Sequence, residues 1–202
     1  MSKQESKQAG FTFLEIAGVM AVSGVLAAMG LPMVQQFQSQ SAVSGAQNSF
    51  AESLAQARTF AVSQGTTVRV CGSVDGKACA SNAWSEGWLV YSSDQSAVEG
   101  QVIAPENIVS HYQLGDSHYN VQVFDEQWQA VNEIRFDTQG FNLAQQRLAA
   151  TVCLPGKHAQ VDAVLVERTG RVRLSNNASD KAATQAVINN AQSSTFSQCN
   201  QA

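Results

Sequence analysis

Three arginines in the C-terminal part of the chain are the residues whose type and spacing most readily suggest chemistry. They lie in the segment Arg168-Thr169-Gly170-Arg171-Val172-Arg173. Successive side chains of a β-strand point to opposite faces, so Arg171 and Arg173 share one face. If Thr169-Gly170 forms a two-residue hairpin turn, Arg168 lies directly opposite Arg171 on that face. Because like charges placed opposite one another destabilise a sheet, we expect an acidic partner nearby, and DNA phosphate is one candidate.

The charge balance requires any binding of nucleic acid to be local. The 202 residues carry a formal net charge of −4 at pH 7. Five basic residues lie between Lys157 and Lys181 against three acidic ones. Phosphate contacts need such charge but no reading of base sequence. The alternative is that the arginines pair with acids of this domain or of a neighbouring subunit. No aromatic residue is interleaved with the cluster, so the local sequence does not indicate stacking on unpaired bases.

The four cysteines indicate a protein of an oxidising compartment. Cys71 and Cys79 flank a turn-rich loop of seven residues, which favours a local disulfide between them. Three pairings are open in principle. The local bridge leaves Cys153 and Cys199, whose disulfide would fasten the C-terminal tail to a strand and contribute about 4 kcal/mol in the loop-entropy model. A zinc site is less favoured because neither pair has a short Cys-x-x-Cys spacing.

Catalytic and metal-binding patterns are weak. His111, His118 and His158 occur in unlike contexts, and the sequence has no nucleophile elbow, metal-binding histidine pair or phosphate loop. The segment from Asp75 to Asp137 has ten acidic and two basic residues, but they are scattered and do not form a calcium loop. We therefore expect a solvated acidic face and interpret the chain as a non-enzyme without a metal or cofactor.

Glu15 is a carboxylate at the start of a long apolar run. Residues 16–51 contain no charged side chain. Residues 11–34 would form a helix of roughly 35 Å, enough to cross a bilayer. A carboxylate inside such a span costs about 2.5–3.5 kcal/mol, so it usually has a partner. No Lys, Arg or His lies within the span to serve as that partner. The alternative is a carboxylate at the membrane edge, hydrated by lipid headgroups.

The motif Gly10-Phe11-Thr12-Phe13-Leu14-Glu15 resembles the processing site of type IV prepilins and of type II secretion pseudopilins. The resemblance implies that prepilin peptidase cleaves after Gly10 and methylates the new N-terminus at Phe11. It also implies that Glu15 pairs with the α-amine of a neighbouring subunit during filament assembly. Pro32 matches a family proline that kinks this helix. Phe13 replaces the usual leucine, a mild departure that keeps the apolar character.

Beyond residue 34 the pattern predicts that the helix continues but becomes amphipathic. Gly65 is the expected C-terminal stop. Apolar residues recur at spacings of three and four while polar residues fill the other faces, which is typical of a helix packed on its own domain. These residues are Val43, Ala46, Phe50, Leu54, Ala57 and Ala61.

After Gly65 the period changes to two, which predicts short strands separated by turn residues. No second long helical pattern precedes Lys181, so parallel strand–helix–strand units are not expected. The fold class is therefore α+β, with the long N-terminal helix packed on antiparallel sheet, which agrees with the pilin fold that the resemblance implies. The predicted strands are 66–71, 87–92, 101–104, 108–113, 119–124, 130–137, 150–154, 162–168 and 171–175.

The domain organisation follows from these elements and from the resemblance. Residues 1–10 form the leader, and residues 11–34 the transmembrane half of the helix. Residues 35–64 form its amphipathic half, and residues 65–202 a β-rich extracytoplasmic domain. We expect a single-pass protein of the inner membrane whose C-terminal domain is periplasmic, and which reaches the cell surface when assembled in a pilus.

Two further segments resemble one particular group of minor pilins. Residues 84–91, Trp-Ser-Glu-Gly-Trp-Leu-Val-Tyr, resemble a stretch of the GspH/FimT group of minor pilins, and Gly170-Arg171-Val172-Arg173 resembles the Gly-Arg-x-Arg motif of FimT. This implies a minor pilin that is incorporated in a type IV pilus or primes it, and that binds double-stranded DNA in natural transformation. Gly170, Arg171, Arg173 and Arg168 would bind the DNA, with weaker contributions from Lys157 and Lys181.

The resemblance also implies the partners of the chain and one alternative function. The partners are major and minor pilins through the N-terminal helix, prepilin peptidase and the inner membrane. The alternative is a GspH-like tip pseudopilin of a type II secretion system, without DNA binding. An independent membrane-tethered enzyme or receptor would fit the anchor but not the cleavage site.

Overall fold

The N-terminal part of the described chain is one long helix. The computed structural model describes residues 12–95, 97–115, 119–154 and 160–175, without the side chains of residues 25–36, 39, 160 and 161. Helix α1 spans Phe13–Gln64. The Thr12 hydroxyl accepts a hydrogen bond from the Glu15 backbone N–H at 3.4 Å, as an N-cap does. The predicted stop at Gly65 is confirmed: its φ is +61°, and the next N–H, of Thr66, donates to Ala61 O at 3.2 Å.

The chain divides into two compact units, residues 1–38 and residues 39–202, and all the strands belong to the second. Gly10 and Phe11, the predicted cleavage site, lie outside the described residues, whereas Pro32 lies within α1. Among the described residues, no helix has both the length and the apolar character that a membrane crossing requires.

Eight antiparallel strands form two sheets of four in the described part of the chain. The first sheet has the order β3-β2-β1-β5, and the second has the order β4-β6-β7-β8. This arrangement confirms the predicted α+β class with antiparallel sheet. The strands are β1 Val68–Gly72, β2 Gly87–Ser92, β3 Ile108–Gln113, β4 Asn120–Phe124, β5 Glu133–Phe136, β6 Leu148–Leu154, β7 Gln160–Val166 and β8 Val172–Leu174.

One predicted strand is wrong. Residues 101–104 do not form a strand, and only Val102 makes an isolated bridge, with Ala78. The backbone of this region instead bonds to the disulfide loop: Gly100 N–H donates to Cys79 O at 3.0 Å and Ile103 N–H to Lys77 O at 2.8 Å. The other eight predicted strands exist, and their ends differ from the prediction by at most three residues.

The predicted apolar stripe of α1 is the centre of the core. All six of its residues are buried, and they form one cluster with inward-facing side chains of both sheets. Phe50, fully buried, meets the rings of Trp84 and Trp88 edge-on at centroid distances of 5.7 and 4.9 Å. Such edge-to-face contacts add to the stabilisation that comes from burial. Trp84 and Trp88 are therefore packing residues of the core, whereas Trp128 is 45% exposed.

The other face of the first sheet is covered by the disulfide loop and residues 97–107. Cys71 and Cys79 are joined by a disulfide, which removes the two thiols that a four-cysteine zinc site would need. Buried Arg69 forms an ion pair with Glu133 at 2.6 Å, and the Tyr91 hydroxyl donates to the same carboxylate at 2.5 Å. Burial and this hydrogen bond raise the pKa of Tyr91 well above its usual range.

Several acids of the middle segment cap turns instead of forming only a solvated face. Asp75 Oδ1 accepts the N–H groups of Lys77 and Ala78 at 2.8 and 3.1 Å. These backbone donors lower the pKa of Asp75. Asp125 and Asp137 accept backbone N–H groups in the same way. The acidic residues thus fix loop geometry at the strand ends, which is a common use of aspartate in turns.

Substitution of Phe50 tests the core. We expect Phe50→Ala to lower the free energy of unfolding by about 3–5 kcal/mol, because it leaves a cavity between the helix and two tryptophans. Phe37→Ala is the matched control, since Phe37 is 70% exposed on the same helix; its effect should stay within about 0.5 kcal/mol. Urea unfolding of the full-length protein in detergent, followed by tryptophan fluorescence, measures both. Equal losses in the two variants would contradict this account of the core.

Candidate functional site

The arginine segment forms the turn between β7 and β8, with a geometry that differs from the prediction. Glu167 N–H donates to Arg171 O at 2.9 Å, and Gly170 N–H donates to Glu167 O at 2.9 Å. The loop between this closing pair has three residues, 168–170, and Gly170 has a φ of +73°. This is the three-residue hairpin that ends in a left-handed bulge residue. The predicted two-residue turn is wrong, and Glu167, not Arg168, lies opposite Arg171.

Gly170 has a structural role in this turn. It is buried, and a Cβ at this position would collide with the carbonyl oxygen of Gly140. Arg58 of α1 donates its Nε–H to the same carbonyl oxygen at 2.9 Å. The hairpin tip is thereby packed against the loop that follows β5 and indirectly against the helix. Only glycine combines the positive φ with this close approach. Gly170 therefore positions the arginines and offers little surface to a ligand.

Two of the three arginines already have acidic partners. The Arg168 Nη2 group lies 2.8 and 3.1 Å from the two carboxylate oxygens of Glu126. Arg173 donates from Nη2 and Nε to Glu167 Oε1 at 2.8 and 3.2 Å. The domain itself thus supplies acidic partners for Arg168 and Arg173. This is the alternative to DNA phosphate that the sequence left open.

The strand register builds a row of alternating charges at one end of the second sheet. Glu126 follows β4, Arg147 precedes β6, Glu167 follows β7 and Arg171 precedes β8. Arg147 donates its N–H to Glu126 Oε1 at 3.2 Å and its Nε–H to Glu167 Oε2 at 3.1 Å. Opposite charges on neighbouring strands contribute about 0.2–1 kcal/mol each. We call these four residues the charge row.

Arg171 ends the charge row. Its side chain is exposed, and its cross-strand neighbour Glu167 already accepts hydrogen bonds from Arg147 and Arg173. None of the acids that the structure describes forms an ion pair with Arg171. Val172 and Leu174 pack on the core from the opposite face of β8, as strand alternation predicts. Arg171 is therefore the arginine of the hairpin that is best placed to meet an external anion.

The pKa values of the two glutamates reflect these contacts. Burial raises the pKa of Glu167, but hydrogen bonds and charge from Arg173 and Arg147 outweigh burial, and the pKa ends below its ordinary value of 4.5. The Arg147 backbone N–H and the Arg168 guanidinium lower the pKa of Glu126. Both carboxylates are therefore ionised at neutral pH, and the alternation of charge is intact under those conditions.

The charged side chains line a surface groove of about 610 Å³, which we call the arginine groove. Four arginines and two glutamates line it, so it carries a surplus of two positive charges in a chain whose net charge is negative. Arg147 was missed by sequence reasoning because only the strand register brings it to residues 167–171. The lining residues are Glu126, Arg147, Glu167, Arg168, Thr169, Arg171 and Arg173.

The remaining predicted site residues lie elsewhere or outside the described part of the chain. Lys157, Lys181 and Cys199 belong to segments that are not described. Cys153 is buried on β6, and no cysteine among the described residues is free. Glu15 is exposed in the first turn of α1, where a carboxylate also interacts favourably with the helix dipole. Of the predicted DNA-binding set, the structure brings together Gly170, Arg168, Arg171 and Arg173.

The lowered pKa of Glu167 predicts a pH-dependent stability. Its ion pairs contribute fully above the ordinary pKa of 4.5 and are lost as the pH falls through the lower folded-state pKa. Glu167→Gln should therefore reduce the free energy of unfolding by about 1 kcal/mol near neutral pH and by much less near about pH 3. Glu106→Gln, at an exposed glutamate of the first sheet's covering segment, is the control. Urea midpoints at the two pH values test this, and a pH-independent loss in Glu167→Gln would contradict it.

Comparisons with known proteins identify the family. A family model described as type II transport protein GspH matches residues 46–191. The fold is similar to the type IV minor pilin FimU of Pseudomonas aeruginosa in one crystal form, with 14% identity, coverage of 68% of this chain and 91% of that one, and a TM-score of 0.50. A second crystal form of FimU gives 14% identity, coverage of 65% and 90%, and a TM-score of 0.45. No curated protein sequence matches significantly. Because the family model covers more than half of the chain and the helix packs on antiparallel sheets as in FimU, the chain belongs to the GspH family and has the fold of a type IV minor pilin.

Proposed function

We propose that the protein is a minor pilin that is incorporated in a type IV pilus or primes it, and that its arginine groove binds the phosphate backbone of DNA during uptake. The observation that supports DNA binding is Arg171 at the end of the charge row, exposed and in a groove with surplus positive charge. A guanidinium offers planar donors and a permanent charge, which suit a phosphate group. The role is structural and binding, not enzymatic.

The structure changes the relative weight of the arginines in this proposal. Arg168 and Arg173 are held by Glu126 and Glu167, so a phosphate must compete with an existing carboxylate at both positions. Arg171 has no such competitor among the described acids and is the principal phosphate contact. Arg168 and Arg173 contribute charge at longer range, which strengthens attraction without direct contact. Lys157 and Lys181 keep a weaker supporting role in the proposal. Double-stranded DNA is a sufficient ligand for such contacts, because they do not read bases.

The N-terminal segment supplies the rest of the proposal. Prepilin peptidase removes residues 1–10 after Gly10 and methylates Phe11. Residues 11–34 then anchor the chain in the inner membrane, with Pro32 kinking the helix and the β-rich domain in the periplasm, until the subunit joins major and minor pilins. The run of residues 16–51 without charge supports this anchor.

Substitution of Glu15 tests the proposed role of the N-terminal segment in filament assembly. If it pairs with the new α-amine of a neighbouring subunit, Glu15→Ala should sharply reduce incorporation into filaments while leaving cleavage and membrane insertion unchanged. Glu15→Gln separates charge from helix capping, because it keeps the size of the side chain and loses the carboxylate. Immunoblots of sheared filaments and of membranes measure the two steps. Normal incorporation of both variants would refute the pairing.

A second candidate function has its own support. The chain could act as a tip pseudopilin of a type II secretion system, in which Arg171 contacts a neighbouring subunit. The observation in its favour is that the acids of the domain hold Arg168 and Arg173, as in a purely structural cluster. The family description, type II transport protein, agrees with it. Deletion that abolishes secretion of exoproteins but leaves pili and DNA uptake intact would favour this candidate.

Substitution of Arg171 decides whether the groove binds DNA. Arg171→Ala should weaken binding of the full-length protein in detergent to duplex DNA and reduce the slope of log affinity against log salt by about one, because one phosphate contact is lost. Arg135→Ala, at a partly exposed arginine on β5 of the first sheet, is the matched control. Arg173→Ala is less informative, since it also removes a partner of Glu167.

Gel shifts at two stated salt concentrations and transformation frequency are the measurements for this substitution. Loss of affinity in Arg171→Ala but not in Arg135→Ala, together with reduced transformation, supports DNA binding. Unchanged affinity and unchanged transformation in Arg171→Ala would refute it and leave the pseudopilin as the better candidate.

A further inference from the structure

Three loops of the domain have the same backbone construction. They are residues 125–129, 137–141 and 167–171. In each, the N–H of the first residue donates to the carbonyl oxygen of the fifth, at 3.1, 3.0 and 2.9 Å in that order. The N–H of the fourth residue donates back to the carbonyl oxygen of the first, at 3.1, 2.9 and 2.9 Å. All three are therefore turns whose fourth residue must have a positive φ.

The residue at that fourth position differs in one loop. Gly140 and Gly170 fill it in two of them, with φ of +80° and +73°. Trp128 fills it in the third, with φ of +62°. A bulky residue is strained in this region, whereas glycine is not. The chain thus keeps a tryptophan where its own two equivalent loops have the residue that the backbone favours, and strain of this kind calls for a functional explanation.

Trp128 is also the exposed tryptophan of the chain. It is 45% exposed, whereas Trp84 and Trp88 are 2% and 1% exposed in the core. Asp125 holds its loop rigid by accepting the N–H groups of Gln127 and Gln129 at 2.9 and 2.8 Å. A rigid loop that presents a large aromatic side chain to solvent loses little entropy when that side chain binds a ligand.

Arg168 forms hydrogen bonds with the loop that carries Trp128 and with the residue next to a second exposed aromatic side chain. Its guanidinium binds Glu126, two residues before Trp128 in the same loop. Its carbonyl oxygen accepts the Asn142 N–H at 3.2 Å, and the adjacent Phe141 is 46% exposed. Two exposed aromatic side chains are thus carried by the loops that contact the hairpin. The sequence does not indicate this, because these residues are far from the arginines along the chain.

We propose that Trp128, assisted by Phe141, stacks on unpaired bases of single-stranded DNA whose phosphates lie in the arginine groove. The inference rests on the proposed DNA binding and adds a preference for single strands to it. Aromatic side chains beside a positively charged groove are the general means by which proteins hold single strands, since every unpaired base has an accessible π-face. Duplex bases stack on each other and do not offer that face. The surplus positive charge of the groove favours a polyanion over an apolar protein surface.

Intrinsic fluorescence gives a direct test because the other two tryptophans are buried. An oligothymidylate of about 16 nucleotides, titrated into the full-length protein in detergent, should quench the exposed emission of Trp128. A duplex of the same length should bind through phosphate contacts with little quenching. Quenching of equal size by both ligands, or by neither while both bind, would overturn the stacking proposal.

Trp128→Gly separates function from stability. It places in this loop the residue that the equivalent loops contain, so the urea midpoint should stay the same or rise. Its affinity for the oligothymidylate should fall about 5- to 150-fold, the equivalent of one lost base stack, while its salt slope stays unchanged. Trp128→Phe should recover much of the affinity. Val98→Ala, at an apolar side chain 67% exposed on the segment that covers the first sheet, is the control and should have no effect.

The outcomes separate this inference from the proposed function. If Trp128→Gly binds the oligothymidylate as tightly as the wild type while Arg171→Ala does not, stacking is wrong and phosphate binding stands. If Trp128→Gly loses affinity for single strands but keeps affinity for duplex, the stacking proposal is supported. If Trp128→Gly keeps DNA affinity but is no longer incorporated in filaments, Trp128 contacts a protein partner and the proposal is overturned.

Discussion

Burial of a single helical stripe is the constraint on which the rest of the domain depends. In the described part of the chain, the inner faces of two four-stranded sheets meet the same side of α1, and no other long helix covers them. Phe50 between Trp84 and Trp88 shows how closely the large side chains are fitted there. Interiors of this density tolerate little displacement, so the strands are held in fixed register. The position of every charge at the strand ends follows from that register.

The same register turns a set of scattered acids and bases into an ordered surface. Glu126, Arg147, Glu167 and Arg171 alternate in sign along one end of the second sheet. Hydrogen bonds from Arg147 and Arg168 lower the pKa of Glu126, and those from Arg173 and Arg147 lower the pKa of Glu167. The three-residue loop between β7 and β8 sets the pairing of Glu167 with Arg171, because the left-handed Gly170 inserts an extra position before β8 begins. A turn shorter by one residue would have placed Arg168 opposite Arg171, and the two positive charges would have repelled each other.

The residues of the proposed binding surface are those that depart from the pattern of their neighbours. Glu126 and Glu167 form ion pairs with Arg147, Arg168 and Arg173, and Arg171 is the groove arginine that forms no ion pair with the acids that the structure describes. In the same way, two of three equivalent loops use glycine, and the loop that does not presents Trp128 to solvent. Arg171 lines the arginine groove, and the loop that carries Trp128 contributes Glu126 to the same groove.

The sequence by itself determined the elements of the fold, and the tertiary structure decided the site. Apolar spacing identified the buried stripe of α1, and Gly65 identified its C-terminal end. Period-two alternation identified eight of the strands. These signals are local, because each depends only on which face of its own helix or strand a residue occupies. The strand predicted at residues 101–104 does not form, because the backbone of this segment bonds to the disulfide loop and not to a sheet edge. No local sequence pattern indicates such a contact. The hairpin was placed correctly, but its loop length was wrong, since glycine at a positive φ fits both a two-residue and a three-residue turn. Only the packed sheets could bring Arg147 and Glu126 to the arginines, because cross-strand neighbours are set by register across distant segments.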